Sequence, residues 1–186
     1  GTSLGIILND INRAYSGEKL EVEEYTSYDL ALDNRDALAS DAYKNAENYY
    51  KSVFENAGGS INFYPDKSGA APTAEMYHRE TSEFSVQDVK AFCKKHGITE
   101  NVFFISAFGI TLGKYNFRKD AVFTTIYHGR NDSRLSDTVG MLVKTLPVYC
   151  DFSGSTADCL NAVQQQLINS MNNDIYPFSQ ISHEFN

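Results

Sequence analysis

The polar loop that follows residue 127 contains side chains able to do chemistry. His128 is followed by Asp132 and Ser133, and these three residue types together can support nucleophilic catalysis. No nucleophile elbow of the G-x-S-x-G kind accompanies them, and loops at a protein surface are commonly polar. We therefore interpret this loop as structural and expect no catalytic triad in it.

A second distinctive segment, Val139–Tyr149, reads V-G-M-L-V-K-T-L-P-V-Y, and Gly129-Arg130 lies a short loop before it. A generic amphipathic pattern does not give a glycine, an apolar cluster, a Lys-Thr pair and a proline-bearing strand in this order. Proline cannot donate to a strand ladder, so Pro147 predicts an edge strand or a bulge. This segment is the most informative one in the chain.

The cysteines and glycines argue against a bound metal or cofactor. Cys93, Cys150 and Cys159 are far apart and form no Cys/His ligand spacing, so we expect no structural zinc or other metal. No glycine-rich phosphate-binding motif is present, so we expect no nucleotide either. An odd number of cysteines is typical of a reducing compartment, and we predict a cytoplasmic protein.

The composition bounds the size of the core and the kinds of partner. The 186 residues are 42% hydrophobic, enough for one core or two small ones. A net charge of -8 argues against general nucleic-acid binding, which needs clustered basic residues. No apolar run is long enough to cross a membrane, and the start of the sequence has neither an initiator Met nor a signal peptide. We expect a piece cut from a larger protein.

The periodicity of the apolar residues predicts that the first part is helical. Thr2 or Ser3 can cap a helix that ends at Gly17, and its apolar stripe comprises Leu4, Ile7, Leu8, Ile11 and Tyr15. A second helical region is expected over residues 27–56, with a break near Asp33-Asn34. Residues 57–74 are rich in glycine and proline, which is typical of a linker between lobes.

Strands and helices are mixed in the rest of the chain. We predict a strand over residues 75–82 and helices capped by Ser85, Thr99 and Ser155 or Thr156. The helix over residues 100–115 is apolar nearly all round, which indicates a buried central helix. Strands are expected over residues 121–128 and 146–152, and a short helix should follow Tyr176-Pro177-Phe178. The fold class is therefore α/β or α+β, with helices packed on a mixed sheet.

Several motifs together resemble those of one family. Val139–Val148 is similar to the I-G-x-F-V-N-T-L-P-x motif of condensation domains from nonribosomal peptide synthetases. Further agreements follow the family's chain order. Gly1–Leu4 is similar to the residues that follow the family's H-H-x-x-x-D-G motif, and Tyr28–Ala31 is similar to Y-x-D-[FY]-A. Asn101–Tyr115 and Asp120–Arg130 are similar to the helix and strand that lead to Gly-Arg, and Asn173–Phe178 is similar to H-Q-x-Y-P-F. Each motif alone is weak, and their order makes the resemblance specific.

The resemblance implies a chloramphenicol-acetyltransferase-like fold with two lobes around a tunnel. Residues 1–58 would be a helical part of the first lobe, residues 59–74 the linker, and residues 75–186 part of the second lobe. Gly1 would be the last residue of H-H-x-x-x-D-G, so the family's two histidines would lie before it. The residues that would line the tunnel are Gly1, Ser3, Arg130, Gly140, Lys144 and Thr145.

The activity implied by the resemblance is amide formation between two carrier-bound thioesters. The donor is an acyl or peptidyl group and the acceptor an aminoacyl group, each on the phosphopantetheine arm of a peptidyl carrier protein. No cofactor would bind directly, and the expected partners are the upstream and downstream carrier proteins and an adjacent adenylation domain. Without the histidines, these 186 residues would have no condensation activity of their own.

This sequence departs from the family pattern at three positions. Lys144 stands where Asn is usual, Tyr149 where Arg is common, and Ser179 where Glu is frequent. Burial of Lys144 without a partner would be costly. Two alternatives therefore remain: an epimerisation or acyltransferase domain of the same superfamily, or a non-catalytic docking member.

Overall fold

The computed structural model describes residues 2–55, 57–59, 76, 78, 80–81 and 83–185. The helices are α1 (Thr2–Tyr15), α2 (Ser27–Ala37), α3 (Asp41–Phe54), α4 (Val86–His96), α5 (Glu100–Tyr115), α6 (Thr156–Asn172) and α7 (Phe178–Phe185). The strands β1 (Asp120–Tyr127) and β2 (Lys144–Asp151) pair in a two-stranded antiparallel sheet, and a 3₁₀ turn covers Ser133–Leu135. Gly1, half of the predicted strand over 75–82 and nearly all of the predicted linker lie outside the described residues, and the described residues 76, 78, 80 and 81 are not in a strand.

Contacts between residues divide the chain into two compact units. One unit comprises the described residues of Gly1–Val53, Thr125–Leu146 and Asn169–Phe185, and the other comprises the described residues of Phe54–Thr124 and Pro147–Ile168. The lobe boundaries expected from the sequence stay a prediction, because they describe a larger two-lobed fold.

The first unit contains helices with strong start signals. Thr26 begins α2 with a capping box, in which its hydroxyl accepts from the Asp29 amide at 3.3 Å and the Asp29 carboxylate accepts from the Thr26 amide at 2.9 Å. The predicted break at Asp33-Asn34 is wrong, because α2 continues to Ala37. Ser40 makes the break instead: its hydroxyl donates to the Ala37 carbonyl at 2.6 Å and accepts from the first turn of α3.

Tyrosines dominate the core of this unit. Tyr50 is 1% exposed, and its hydroxyl donates to the Ser170 carbonyl at 3.3 Å. The Tyr176 ring lies 5.0 Å from Tyr43 and 6.2 Å from Tyr50, measured between ring centroids. The Tyr50 and Tyr176 rings supply apolar area, while their hydroxyls donate to the Ser170 carbonyl and the Glu184 carboxylate.

Helix α1 forms where it was predicted but does not bury its apolar stripe. No residue of α1 is buried, and Leu4, Ile11 and Tyr15 are 57%, 56% and 95% exposed. Spacing predicts which residues share a helix face, but burial of that face also requires a neighbouring surface.

The second unit has an aliphatic core with two close thiols. Val148 and Cys150 of β2 pack with Val102 and Ile105 of α5, and the Cys150 and Cys159 sulfurs lie 3.4 Å apart. The prediction that α5 is buried all round is wrong in this structure, since Phe104 is 56% exposed.

In the described part of the chain β2 is an edge strand, which is one of the two outcomes that Pro147 predicted. Its partner on one side is β1, and on the other side the Tyr149 amide donates to the Gln166 side chain at 3.1 Å. Amides two residues apart point to the same edge, so Pro147 stands where an N–H would face away from β1. No helix among the described residues is long and apolar enough to span a membrane.

Candidate tunnel wall and adjoining cavity

The Ser3 hydroxyl joins three of the residues predicted to line a tunnel. It donates to the Gly140 carbonyl at 2.9 Å and accepts from the Gly140 amide at 3.2 Å and from the Arg130 guanidinium at 3.2 Å. A hydroxyl has one hydrogen to donate and two lone pairs that accept, so these three contacts use the full hydrogen-bonding capacity of the Ser3 hydroxyl. Ser3, Arg130 and Gly140 come from separate sequence motifs, and the fold brings them to one point.

Arg130 is held mainly by backbone carbonyls. Its guanidinium donates to the Leu135 carbonyl and, at 3.4 Å, to the Ser136 carbonyl. Among the residues that the structure describes, no carboxylate lies within ion-pair distance of it. The side chain is thus fixed in direction while its positive charge is left uncompensated by these residues.

Gly129 allows the Arg130 loop to approach the entry of β2. Its φ is 69°, and a β-carbon there would lie 1.8 Å from the Leu142 carbonyl oxygen. Thr138 and Val139 fix the same loop from the other side, through hydrogen bonds to the Tyr25 carbonyl at 2.6 Å and the Glu23 carboxylate at 3.0 Å.

Lys144 has the charged partner that sequence reasoning could not supply. Its ammonium lies 2.9 Å from the Asp174 carboxylate and donates to the Asp174 carbonyl at 3.1 Å. The two side chains are 31% and 21% exposed, so the pair is partly shielded from water. The cost expected for an unpaired Lys144 is therefore offset by Asp174.

Thr145 does not share the surface of Lys144. It is half-buried at the next position of β2, and successive strand residues point to opposite faces. Gly1 lies outside the described residues, so its predicted role is not tested.

A cavity of about 320 Å³ lies beside Lys144, within the first unit. Five carboxylate, guanidinium or ammonium side chains line it: Asp33, Asp132, Arg134, Lys144 and Asp174. Its other lining residues are Tyr25, Leu30, Asn34, Ala37, Gly129, Asn131, Leu135, Met171 and Ile175. Sequence motifs identified Lys144 as a tunnel residue, and Asp132 was considered only as a member of a triad, whereas Asp33, Arg134 and Asp174 approach Lys144 through folding.

Arg134 organises one end of the cavity. It pairs with Asp132 at 2.7 Å and Asp33 at 3.1 Å, and its guanidinium carbon lies 4.3 Å from the centre of the Tyr25 ring. The Arg134 hydrogen bonds hold the pKa of Asp132 below its ordinary value. Burial and then the hydrogen bond to Asp33 raise the pKa of Tyr25 to about 12. At neutral pH Asp132 is a carboxylate and Tyr25 a neutral donor.

Among the residues that the structure describes, the contacts of His128 do not form a triad. Its Nδ1 accepts from the Arg130 amide at 3.0 Å, while the Asp132 carboxylate is occupied by Arg134. The interpretation of this loop as structural agrees with these contacts. In the described part of the chain, no group of three His, Cys, Asp or Glu side chains could hold a metal ion.

The chain belongs to the condensation-domain family, since the model of that family matches residues 1–186. Its sequence is 28% identical to nonribosomal peptide synthetase sidC of Arthroderma benhamiae, over 97% of this chain and 3% of that protein. Bacitracin synthase 2 of Bacillus licheniformis is 26% identical, over 97% of this chain and 7% of that protein. The chain thus spans a small part of these relatives.

Solved structures show the same fold. The first condensation domain of the calcium-dependent antibiotic synthetase superposes with a TM-score of 0.76 at 15% identity, over 100% of this chain and 43% of that one. The X-domain in its complex with OxyB from teicoplanin biosynthesis also gives 0.76 at 15% identity, over 98% of this chain and 44% of the other. The resemblance and the chloramphenicol-acetyltransferase-like fold expected from the sequence are confirmed.

Proposed function

We propose that this chain forms part of a domain that makes an amide bond between two carrier-bound substrates in nonribosomal peptide synthesis. The observation that carries the proposal is the meeting of Ser3, Arg130 and Gly140 at one hydroxyl. These residues come from motifs that the family shares, and membership of the family supports the same reaction class. The cavity beside Lys144 gives room for a substrate group next to this wall.

The reaction needs positioning more than a strong nucleophile. The acceptor nitrogen attacks the donor thioester carbonyl, a C–N bond forms, the C–S bond breaks, and the departing sulfur gains the proton that nitrogen loses. Fixed geometry lowers the barrier of such a step by supplying orientation in advance. Arg130, Ser3 and Gly140 would provide a rigid wall, and the proton acceptor would come from outside these residues.

The substrates would arrive on partner proteins. We propose that upstream and downstream peptidyl carrier proteins present them on phosphopantetheine arms, and that an adenylation domain loads the acceptor carrier. The relatives named as peptide synthetases support this arrangement. The 186 residues alone are expected to be inactive, because they do not contain the two histidines of the family's H-H-x-x-x-D-G motif.

The test is condensation by the natural full-length protein that carries this sequence. Both carriers are charged, and the product on the downstream carrier is released and identified by mass spectrometry. We expect an amide of the donor and acceptor groups, and Arg130→Ala should lower its rate at least about ten-fold if the wall orients substrate. Lack of product with both carriers charged, or racemisation of a bound aminoacyl group instead, would contradict the proposal.

A docking role is the second candidate, favoured by the similarity to the X-domain that was solved with OxyB. In that case Lys144 would mark a domain that has kept the fold and changed its site. Stable binding of a second enzyme, together with an absence of condensation by the full-length protein, would support docking.

A further inference from the structure

The charges around the cavity are unevenly distributed. Lys144 and Asp174 neutralise each other at one side. Arg134 pairs with both Asp33 and Asp132, so these three side chains together carry one excess negative charge. An uncompensated carboxylate at a partly enclosed site favours a positively charged ligand group.

Asp33 has an oxygen available for such a group. Its Oδ2 accepts from the Tyr25 hydroxyl at 2.6 Å and lies 3.1 Å from Arg134. Its Oδ1 has no hydrogen-bond partner among the described residues, although Asp33 lines the cavity. An ammonium group brings three N–H donors and could use this oxygen.

The remaining walls suit an aliphatic stem. Five apolar residues line the cavity: Leu30, Ala37, Leu135, Met171 and Ile175. A volume of about 320 Å³ is at the lower end for ligand sites and admits one long side chain rather than a peptidyl chain. Apolar walls with a carboxylate at one end match a methylene chain that ends in an ammonium group.

We propose that this cavity selects an acceptor amino acid with a basic, lysine-like side chain, whose stem lies along the apolar walls and whose ammonium binds Asp33. The inference rests on the proposed function, since it names the substrate class for that reaction. The Lys144–Asp174 pair contributes a neutral polar boundary, so the net negative charge of the described cavity lining comes from Asp33 and Asp132, which share Arg134.

The test compares two probes that differ in the ammonium group. Nα-acetyl-lysinamide and Nα-acetyl-norleucinamide are titrated into the natural full-length protein, without carrier proteins, and affinity is measured by calorimetry or ligand-observed NMR. The lysine probe should bind about three- to five-fold more tightly, the range expected for a partly exposed ion pair. Asp33→Asn should remove this preference while leaving the affinity for the norleucine probe unchanged.

Asp36→Asn is the matched control. It makes the same charge change on the same helix, but Asp36 pairs with Arg35 and does not line the cavity. It should leave the preference intact. Asn34→Asp adds a carboxylate to the lining and should raise the affinity for the lysine probe, which provides a test if the Asp33 variant does not fold.

Equal binding of the two probes, or the same effect from the Asp33 and Asp36 variants, would overturn the inference. Binding is measured without product formation, so the two proposals can fail separately. Condensation without a preference for the lysine probe would reject the inference alone. A preference in a protein that makes no amide would reject the proposed reaction and leave the binding site in place.

Discussion

The Ser3 hydroxyl is small, yet its removal affects three groups. Ser3→Ala would leave the Gly140 amide and one Arg130 N–H without their acceptor in a half-buried position. Because unpaired polar groups keep their desolvation cost, we expect a loss of about 1–3 kcal/mol in the free energy of unfolding. Urea denaturation followed by circular dichroism would measure it.

The control for this variant is Ser16→Ala. The Ser16 hydroxyl is exposed and donates only to the Asn12 carbonyl at 3.0 Å. Its replacement should change stability by no more than about 0.5 kcal/mol. If the two variants are equally stable, the Ser3 contacts do not hold the loop.

The Lys144–Asp174 pair is best understood as one unit. Lys144→Asn or Asp174→Gln alone leaves a partly shielded charge unpaired, and each should destabilise the chain by roughly 1 kcal/mol. The double variant restores the neutral pair that the family motifs carry at these positions. It should be more stable than the sum of the two single effects predicts, and a double-mutant cycle by denaturant unfolding measures this coupling. Additive effects would show that the two residues do not interact.

The site was only partly predictable at this scale. Ser3, Arg130, Gly140 and Lys144 were identified from motifs that are read along the chain. Asp174 was not identified as the partner of Lys144, since 30 residues separate the two and no local pattern encodes their contact. Asp33 and Arg134 were missed for the same reason, because charged surface residues are common and only folding shows which of them face a cavity.

Helix starts were the elements best predicted from sequence. Ser85 and Thr99 begin α4 and α5 where expected, because an N-cap is a local hydrogen bond between residues three apart. The break between α2 and α3 was misplaced because Ser40 competes with Asp33-Asn34 as a cap, and sequence alone does not rank them. The predicted burial of α5 was wrong in part, because burial depends on packing partners that are remote in sequence.

Glycine in α5 marks its close approach to β2. A β-carbon at Gly109 would lie 2.8 Å from the Cys150 β-carbon and 3.0 Å from the Phe123 ring. Gly109→Ala should therefore lower the free energy of unfolding by about 1–3 kcal/mol, because the added methyl group overpacks this contact, and chemical denaturation would measure the change. Gly5→Ala in α1 is the matched control: nothing lies within 4 Å there, and the gain in helix propensity should stabilise it slightly. Stabilisation by both substitutions would contradict the packing of α5 on β2.

The capping boxes make helix stability depend on pH. Hydrogen bonds from the Ser85 backbone and hydroxyl lower the pKa of Asp88 below its ordinary value. A carboxylate whose pKa is lowered in the folded state stabilises the folded chain at pH values above its unfolded pKa of about 3.9. This contribution is lost as the pH falls through the pKa of the folded state. Asp88→Asn should reduce the acid-side slope of stability, measured as the thermal midpoint between about pH 5 and 2. An unchanged slope would show that this cap does not contribute.

At the scale of a whole unit, the core of the second unit can be probed through its three cysteine thiols. Cys93, Cys150 and Cys159 are all buried, at 4%, 0% and 2% exposure. The adjacent Cys159 thiol and burial raise the pKa of Cys150, which keeps it protonated and unreactive. Alkylation by iodoacetamide should modify all three in denaturant and none rapidly in the folded state, as mass spectrometry would show. Fast labelling of Cys150 without denaturant would indicate that the core of the second unit opens readily.

Ser3 also constrains how the chain is made. Its partner Gly140 lies 137 residues later, so α1 cannot gain this contact until that much more chain has left the ribosome. At about 5–20 residues per second, the delay is on the order of ten seconds. During that time the helix lacks the hydrogen bonds that join the Ser3 hydroxyl to Gly140 and Arg130. The fixing of α1 through Ser3 is therefore a late step in the synthesis of this chain.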